Sequence, residues 1–434
     1  MIPSPAGGAT DPLHALAMLL ALGATFLLVR RLVFDRRGWS TRVEGPVDPS
    51  TLPPRRRLDE IRDHDPDFSV VLFEEFLTNL YTRAHTARGA PEQRAAIRPY
   101  LRPGARAVLT ELGEVPVSDV LVGDLQIRET TRVGPRWHIT VGFTAHYTET
   151  PPDGPPRALY SRERWVLSRP VDLRSRPPER VRSLGCPNCG APARAILGAT
   201  CSHCDQPVDS GDFDWIVEQI VLERRAPQPP DLTGDVPEPA AHIHTIHDPF
   251  ARVAWKQLLR KDPTFSAPQL SERVGHIFAT MQRAWTTRRW DDARPLLTDA
   301  LHHAQRYWLA AYSAAGLRNI TQDARITNLE IVRCTSDRWY DAITVRVHAT
   351  GLDYTIDHLD KVVGGSTTRE RPHSEYWTLL RGRAVERDDA ACPVCAAPLG
   401  LTAAGDCEHC GAQLTTATFD WVLARIEHDD AYRG

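Results

Sequence analysis

The chain has 434 residues, of which 42% are hydrophobic and 25% are charged, as in ordinary globular proteins. This length allows two to four domains, each with a hydrophobic core of its own. The net charge of −3 argues against a protein whose main task is to bind the phosphate backbone of nucleic acids.

An apolar segment without any formal charge lies near the N-terminus, from Leu13 to Val29. As a helix it would span roughly 25 Å, and snorkelling arginines after it would let it cross a hydrocarbon core of ~30 Å. A cleaved signal peptide is the alternative, but such peptides carry positive charge before the apolar run, and residues 1–12 carry none. We therefore predict that residues 1–37 form a transmembrane anchor.

Four arginines follow this apolar segment, and no Lys or Arg precedes it: Arg30, Arg31, Arg36 and Arg37. The positive-inside rule places such a flank in the cytoplasm. We expect a single-pass protein of the inner (plasma) membrane, with its N-terminus outside and its body in the cytoplasm.

Eight of the nine cysteines form two clusters with the same spacing, CxxC-x11-CxxC. The clusters are Cys186, Cys189, Cys201 and Cys204, and then Cys392, Cys395, Cys407 and Cys410. A constant offset of 206 residues relates them and also carries Phe213-Asp214-Trp215 onto Phe419-Asp420-Trp421. Zinc binds four thiolates at tetrahedral corners, and each CxxC turn supplies two of them. We predict two zinc ribbons with one structural Zn²⁺ ion each, in preference to iron–sulfur or redox sites.

The remaining cysteine and a group of histidines carry weaker signals. Cys334 lies in a predicted strand and is expected to be a packed thiol. His242, His244 and His247 lie close together between the two repeats. No further ligand can be named for them, so an exposed linker is favoured over a metal site.

The repeat extends beyond the cysteines. Asp65-Pro66-Asp67-Phe68-Ser69 corresponds to Asp262-Pro263-Thr264-Phe265-Ser266, and each serine is predicted to cap the helix that follows. A second helix is predicted at Asp291–Ala315. Apolar residues at helical spacing predict a buried face at Leu72, Phe76, Leu80 and Ala84, and at Val274, Ile277, Phe278, Met281 and Trp285.

After the helices, apolar and polar residues alternate, which indicates β-strands. In the first repeat the predicted strands lie at Leu125–Ile127, Trp137–Tyr147 and, as the last strand, Trp165–Arg169. In the second they lie at Leu329–Ile331, Ile343–Ala349 and, as the last strand, Trp377–Arg381. Helices followed by meandering strands predict an α+β fold with helices on one face of an antiparallel sheet.

These features resemble the TIM-forty-four-like domain family, whose best-known member is the mitochondrial import-motor anchor. The resemblance is carried by the Asp-Pro-x-Phe start, the helix ending near Ala284-Trp285, the Leu-x-Ile strand and the segment Glu375–Arg381. It covers about residues 255–383 and, less closely, 58–169. It implies cone-shaped domains of the nuclear-transport-factor-two-like superfamily, each with an apolar cavity beneath a curved sheet.

The resemblance also suggests a setting for the protein. In the mitochondrial family the domain contacts inner-membrane lipid and helps to recruit a chaperone to the translocon, and bacterial relatives with a zinc ribbon are described as transport proteins. This chain departs from that pattern, because it lacks the long chaperone-binding segment, has an apparent membrane span and is duplicated.

The predicted organisation has six parts. Residues 1–37 form the anchor, 55–170 the first cone domain, 183–225 the first zinc ribbon, 226–250 a Pro-rich linker, 251–383 the second cone domain and 388–430 the second zinc ribbon.

We expect a non-enzymatic, membrane-anchored scaffold with a role in transport or membrane-protein biogenesis, which binds protein partners or lipid through its cone domains. A small-molecule enzyme or sensor that uses the cavity is the alternative. Glu163 and Glu375, beside strand tryptophans, are interpreted as strand-face charges rather than catalytic groups. Nucleic-acid binding through the ribbons is a further alternative, which the near-neutral charge disfavours.

Overall fold

The computed structural model describes residues 58–178, 181, 184–227, 244–383, 420–429, 431–432 and 434. The predicted anchor, most of the predicted linker and all four cysteines of the second cluster lie outside these residues. Within the described part of the chain, no helix is long and apolar enough to cross a membrane.

The first half begins with four α-helices: α1 (Asp59–His64), α2 (Val70–Thr86), α3 (Pro91–Ile97) and α4 (Pro103–Glu111). The Ser69 hydroxyl accepts a hydrogen bond from the Leu72 amide at 3.2 Å, which confirms the predicted cap of α2. The predicted apolar face of α2 is buried, from Leu72 to Ala84.

The helices of the first half pack against an antiparallel sheet. Its strands are β1 (Val117–Val133), β2 (Arg136–Glu149), β3 (Arg157–Pro170) and β6 (Ile216–Pro227), in the order β1-β2-β3-β6. The predicted last strand lies within β3, but it is not the last, because β6 pairs along β3 from Leu159↔Pro227 to Ser168↔Ile216. The first cysteine cluster therefore lies in a segment between the third and fourth strands of this sheet.

The second half repeats this order of elements. Its helices are α5 (Ala251–Lys261), α6 (Ala267–Thr287) and α7 (Asp299–Ala314), and a 3₁₀ helix at Trp290–Leu296 precedes α7. The predicted single helix over Asp291–Ala315 is thus interrupted, since Pro295 has no N–H group to donate to an α-helical hydrogen bond.

A second antiparallel sheet follows these helices. It contains β7 (Arg318–Ser336), β8 (Tyr340–Ile356), β10 (His373–Gly382) and β11 (Val422–His428), in the order β11-β10-β8-β7, with β9 (Val362–Gly365) paired to β8. Strand β11 follows the second cysteine cluster as β6 follows the first. The described residues confirm an α+β fold with antiparallel sheets.

The two halves contact each other through polar side chains. The Arg425 guanidinium on β11 donates to the Glu74 carboxylate on α2 at 2.6 Å. The Arg62 guanidinium donates to the Ser336 carbonyl at 2.7 Å, and the Trp339 indole donates to the Asp67 carbonyl at 3.1 Å. The first contact joins α2 to the edge strand β11, and the other two join α1 and the residues before α2 to the turn between β7 and β8.

Candidate binding cavity and metal centre

The core of the first half contains a buried carboxylate. Glu163 on β3 is fully buried, and its oxygens accept hydrogen bonds from the Tyr81 hydroxyl at 2.8 Å, the Ser161 hydroxyl at 2.8 Å and the Trp165 indole at 2.9 Å. His85 Nε2 lies 3.1 Å from one oxygen and 3.3 Å from the other. Burial alone would raise the pKa of Glu163, but His85 and the hydrogen bonds from Trp165 and Ser161 lower it to about 2.

The interpretation of Glu163 as a strand-face charge is therefore wrong. Its position along β3 indicates the burial, because Glu163, Trp165 and Leu167 follow one another at two-residue spacing and so share the face that packs into the core. Its surroundings are closed by packed rings, with Tyr81 4.7 Å from Phe143 and 4.4 Å from His85, measured between ring centroids. This carboxylate stabilises a closed core.

The corresponding part of the second half is more open. When Phe68 is matched with Phe265, Phe278 takes the position of Tyr81. When Trp165 is matched with Trp377, Glu375 takes the position of Glu163. Phe278 has no hydroxyl group to donate. The Trp377 indole donates to Glu375 at 2.9 Å, but the Glu375 side chain is 23% exposed and faces a large cavity. For Glu375, an exposed position on the strand agrees with the interpretation from the sequence.

The cavity has a volume of about 1520 Å³ and is lined by both halves of the chain. The second half contributes Met281, Gln282 and Trp285 from α6, together with residues of α7, β10 and β11. The first half contributes the face of α2 that points away from its own core, and the beginning of β1. The cavity therefore arises where the two halves meet over the open end of the second core.

The predicted apolar face of α6 passes from packed core into this cavity. Val274 and Ile277 are fully buried, as are Ile343 and Val345 on β8, and none of these four lines the cavity. Met281, one turn further along, is 8% exposed and does line it. The cavity wall begins at Met281.

The lining of the cavity is strongly acidic. Among its described residues, seven carboxylates face two guanidinium groups: Glu74, Glu75, Asp119, Asp124, Asp353, Glu375 and Glu427, against Arg371 and Arg425. Both arginines form ion pairs, Arg371 with Asp353 at 3.1 Å and Arg425 with Glu74 at 2.6 Å. Burial lowers the pKa of His146 in the same lining, which favours its neutral form. The lining thus carries net negative charge.

The first cysteine cluster has the geometry of a tetrahedral metal site. The sulfurs of Cys186, Cys189, Cys201 and Cys204 all lie within 4.8 Å of one another. The Cys186–Cys204 sulfur distance is 3.9 Å, and the Cys189–Cys201 distance is 3.8 Å. Four sulfurs at ~2.3 Å from a central Zn²⁺ would be about 3.8 Å apart, whereas a disulfide requires ~2.05 Å. The donor set and its spacing therefore fit a four-thiolate metal ion.

The local fold brings the two CxxC turns together. Strands β4 (Ile196–Leu197) and β5 (Thr200–Cys201) form a short hairpin whose turn contains Gly198, with φ of +65°. Gly185 precedes the first turn, and a Cβ atom there would lie 2.4 Å from the carbonyl oxygen of Ala191. The Tyr100 hydroxyl donates to the Gly185 carbonyl at 2.7 Å, which joins this segment to the first half.

The other candidates from the sequence have mixed outcomes. Cys392, Cys395, Cys407 and Cys410 lie outside the described residues. Cys334 is a packed thiol on β7, as predicted, and burial raises its pKa. His244 is exposed, whereas His247 is half-buried with its Nε2 atom 3.8 Å from Glu330, so it is not a free linker side chain.

Comparison with known families confirms part of the resemblance. Residues 251–391 match the family model of the Tim44-like domain. No curated protein matches the chain. Among solved structures, the chain is similar to an Ntf2 like protein involved in plasmid conjugation, with 7% identity and a TM-score of 0.20, over 81% of this chain and 94% of that one. The Tim44-like match contains Met281, Trp285, Glu375 and Trp377, which line the cavity.

Proposed function

We propose that the protein is a non-enzymatic, membrane-anchored scaffold whose Tim44-like domain receives a ligand or partner segment in its cavity. The supporting observation is the cavity of about 1520 Å³, whose lining includes the partly exposed Trp285 and Trp308. Drug-sized ligands occupy pockets of roughly 300–1,000 Å³, so a cavity above this range suits a larger occupant. Aromatic side chains also contribute most per residue to binding interfaces.

The two halves have different tasks in this proposal. The first half has its carboxylate enclosed by Tyr81, His85 and Trp165, so its core serves stability. It contributes the outer face of α2 and the start of β1 as one wall of the cavity. The second half provides the apolar floor. Both halves are thus needed for one site.

Two structural Zn²⁺ ions complete the proposal, one in each cysteine cluster. Four protein thiolates fill a tetrahedral ion and leave no open position, so a structural role fits better than a catalytic one. The ion of the first cluster, held by Cys186, Cys189, Cys201 and Cys204, would shape the chain between β3 and β6. Its binding would support the pairing of β6 with the sheet.

The proposed cellular location and process are inferred from the sequence. Residues 1–37 would anchor the chain in the inner membrane, with the body in the cytoplasm, as the arginines after the apolar segment suggest. The match of residues 251–391 to the Tim44-like domain supports transport or membrane-protein biogenesis as the process. Nucleic acid is not the proposed partner, because phosphates would meet a negatively charged cavity.

An enzyme that acts in the same cavity is the second candidate. Glu375 faces the cavity, and His428 Nδ1 lies 4.0 Å from its carboxylate. A carboxylate and an imidazole in one cavity can serve general acid–base chemistry. A turnover that Glu375→Gln abolishes, while binding in the cavity persists, would favour this candidate over the scaffold.

A neutral fluorescent probe can test whether the cavity binds apolar molecules. We expect N-phenyl-1-naphthylamine to bind the full-length chain with increased fluorescence. Ala304→Trp should block it, because Ala304 lines the cavity, whereas Ala310→Trp on the exposed face of the same helix should not. Equal probe binding by the two variants would refute the cavity as the binding site.

A further inference from the structure

We propose that the first sheet binds an extended acidic segment of a partner protein on its outer face, the face that points away from helices α1 to α4. The inference is carried by an arginine patch on this face, formed by Arg128, Arg162, Arg164 and Arg224. None of the four arginines lines the cavity. The inference therefore goes beyond the proposed function and does not depend on it.

Three guanidinium groups of the patch surround one carboxylate. Arg128 on β1 donates to both oxygens of Glu223 on β6, at 2.6 and 3.2 Å. On β3, Arg164 and Arg162 lie 3.5 and 3.7 Å from the same carboxylate. The hydrogen bonds from Arg128, together with the charges of the three arginines, lower the pKa of Glu223, so this group is ionised at neutral pH. One carboxylate is thus shared by three cations, which leaves two positive charges.

The guanidinium groups of Arg162 and Arg164 are accessible to a second anion. Their side chains are 48% and 37% exposed, and among the described residues Glu223 is the only carboxylate that pairs with either. Arg224 lies opposite Arg162 in the sheet, and its guanidinium lies over the ring of Tyr160, 5.4 Å from the centroid. Planar guanidinium groups bind carboxylates through paired hydrogen bonds. The patch can therefore bind further carboxylates.

The second half shows how the corresponding face is covered there. The offset of 206 residues that relates the cysteine clusters also relates Glu223 to Asp429. Asp429 follows β11, is buried, and accepts a hydrogen bond from the Arg346 guanidinium at 2.8 Å. An acidic chain segment thus neutralises an arginine on the outer face of the second sheet. In the first half, β6 instead continues as a strand to Pro227, and the arginine patch stays exposed.

The spacing of the patch fits an extended protein segment. Arg162 and Arg164 are alternate residues of one strand, so their Cα atoms are about 6.6 Å apart. Carboxylates at alternate positions of an extended segment have the same spacing. Nucleic acid fits less well, because the chain as a whole carries a net charge of −3 and nucleic-acid interfaces are strongly positive.

Peptides that differ only in charge test this inference on the full-length chain. The chain is held in phosphatidylcholine nanodiscs, which carry no net charge, with empty nanodiscs as the blank. Two labelled peptides of about ten residues alternate Thr with either Asp or Asn, and the Thr residues favour an extended backbone. We expect the Asp peptide to bind about five- to tenfold more tightly than the Asn peptide. Raising the ionic strength from about 0.05 to 0.5 M should narrow this difference.

Variants with equal loss of charge locate the site. Arg162→Gln/Arg164→Gln should reduce binding of the Asp peptide to the level of the Asn peptide. Lys256→Gln/Arg260→Gln, on the exposed side of α5, removes two positive charges outside the patch and should leave binding unchanged. Glu223→Gln should strengthen binding of the Asp peptide about two- to fivefold, because a neutral amide competes less for the arginines. The unfolding midpoints of these variants should stay close to that of the parent chain.

Three results would refute the inference. The first is equal binding of the Asp and Asn peptides, and the second is equal binding of the Asp peptide by the two double variants. The third is that an oligouridine of about ten nucleotides, or phosphatidylglycerol vesicles, bind more tightly than the Asp peptide and lose this binding in Arg162→Gln/Arg164→Gln, because the patch then serves phosphates. Binding of the neutral probe without binding of the Asp peptide would leave the proposed function intact.

Discussion

The substitution Glu163→Gln tests whether the core of the first half is closed, in contrast to the open cavity beside the second half. In Glu163→Gln, the amide oxygen can still accept hydrogen bonds, but the amide nitrogen is a donor. The native oxygens face the Tyr81 hydroxyl, the Ser161 hydroxyl, the Trp165 indole and His85. About half of these groups would then lose their acceptor in a site without solvent.

The cost follows from these contacts. A buried donor left without an acceptor costs about 1–3 kcal/mol, so two such donors cost about 2–6 kcal/mol. At roughly 2–4 °C per kcal/mol for a domain of this size, the first half should unfold about 10 °C lower.

Glu375→Gln is the matched control at the corresponding position of the second half. Glu375 is partly exposed, and a glutamine can still accept from the Trp377 indole, so the expected cost is below about 1 kcal/mol. Thermal unfolding followed by tryptophan fluorescence compares the two variants. Equal destabilisation by both would refute the distinction between a closed first core and an open second one.

The pH dependence of folding stability tests the buried charge of Glu163 independently. The folded-state pKa of Glu163 is about 2, below its ordinary value of 4.5. A lowered pKa stabilises the fold fully above the unfolded-state pKa, and this contribution is lost as the pH falls from about 5 towards 2. We expect the parent chain to lose more stability than Glu163→Gln over this window. Parallel stability–pH curves would contradict the buried charge.

The remaining predictions concern the metal ions and the anchor. The reduced protein should contain about two zinc ions by elemental analysis, and Cys189→Ser should lose close to one; a metal content near zero, or iron instead, would refute the zinc sites. Gly185→Ala should also lower zinc content at the first cluster, because the added methyl group meets the Ala191 carbonyl, and unchanged content would show that this turn can relax. A fluorescent protein at the C-terminus should be active in cells, and cleavage of the C-terminus by external protease in intact spheroplasts would refute the predicted orientation.

The elements of the fold were predictable where local periodicity carries them. Alternation at Trp137–Tyr147 and Ile343–Ala349 identified β2 and β8, and helical spacing identified the buried faces of α2 and α6. Strands β6 and β11 were missed, because each follows a cysteine-containing segment and pairs with a strand that ends well before that segment. Local pattern does not reveal such long-range pairing.

The candidate site was predictable only in part. Fixed spacing identified the cysteines, because a tetrahedral ion constrains the chain locally. Glu163 lies two residues before Trp165, and this spacing predicts that both face the core. Charged side chains are so rarely fully buried that the sequence alone nevertheless favours a surface position for Glu163. The cavity depends on the outer face of α2 meeting the open end of the second core. That arrangement is a property of tertiary structure, so the sequence could suggest an apolar cavity only through the family resemblance.

Two truncations on one helix test the central claim, that the Tim44-like domain has an open binding cavity. Ile277 is fully buried, whereas Met281 lines the cavity one turn later. Ile277→Ala should cost about 2–5 kcal/mol, as in a packed core. Met281→Ala should cost markedly less and should weaken binding of the neutral probe. If Met281→Ala costs as much as Ile277→Ala and leaves probe binding unchanged, the cavity is part of the core and the proposed binding role is wrong.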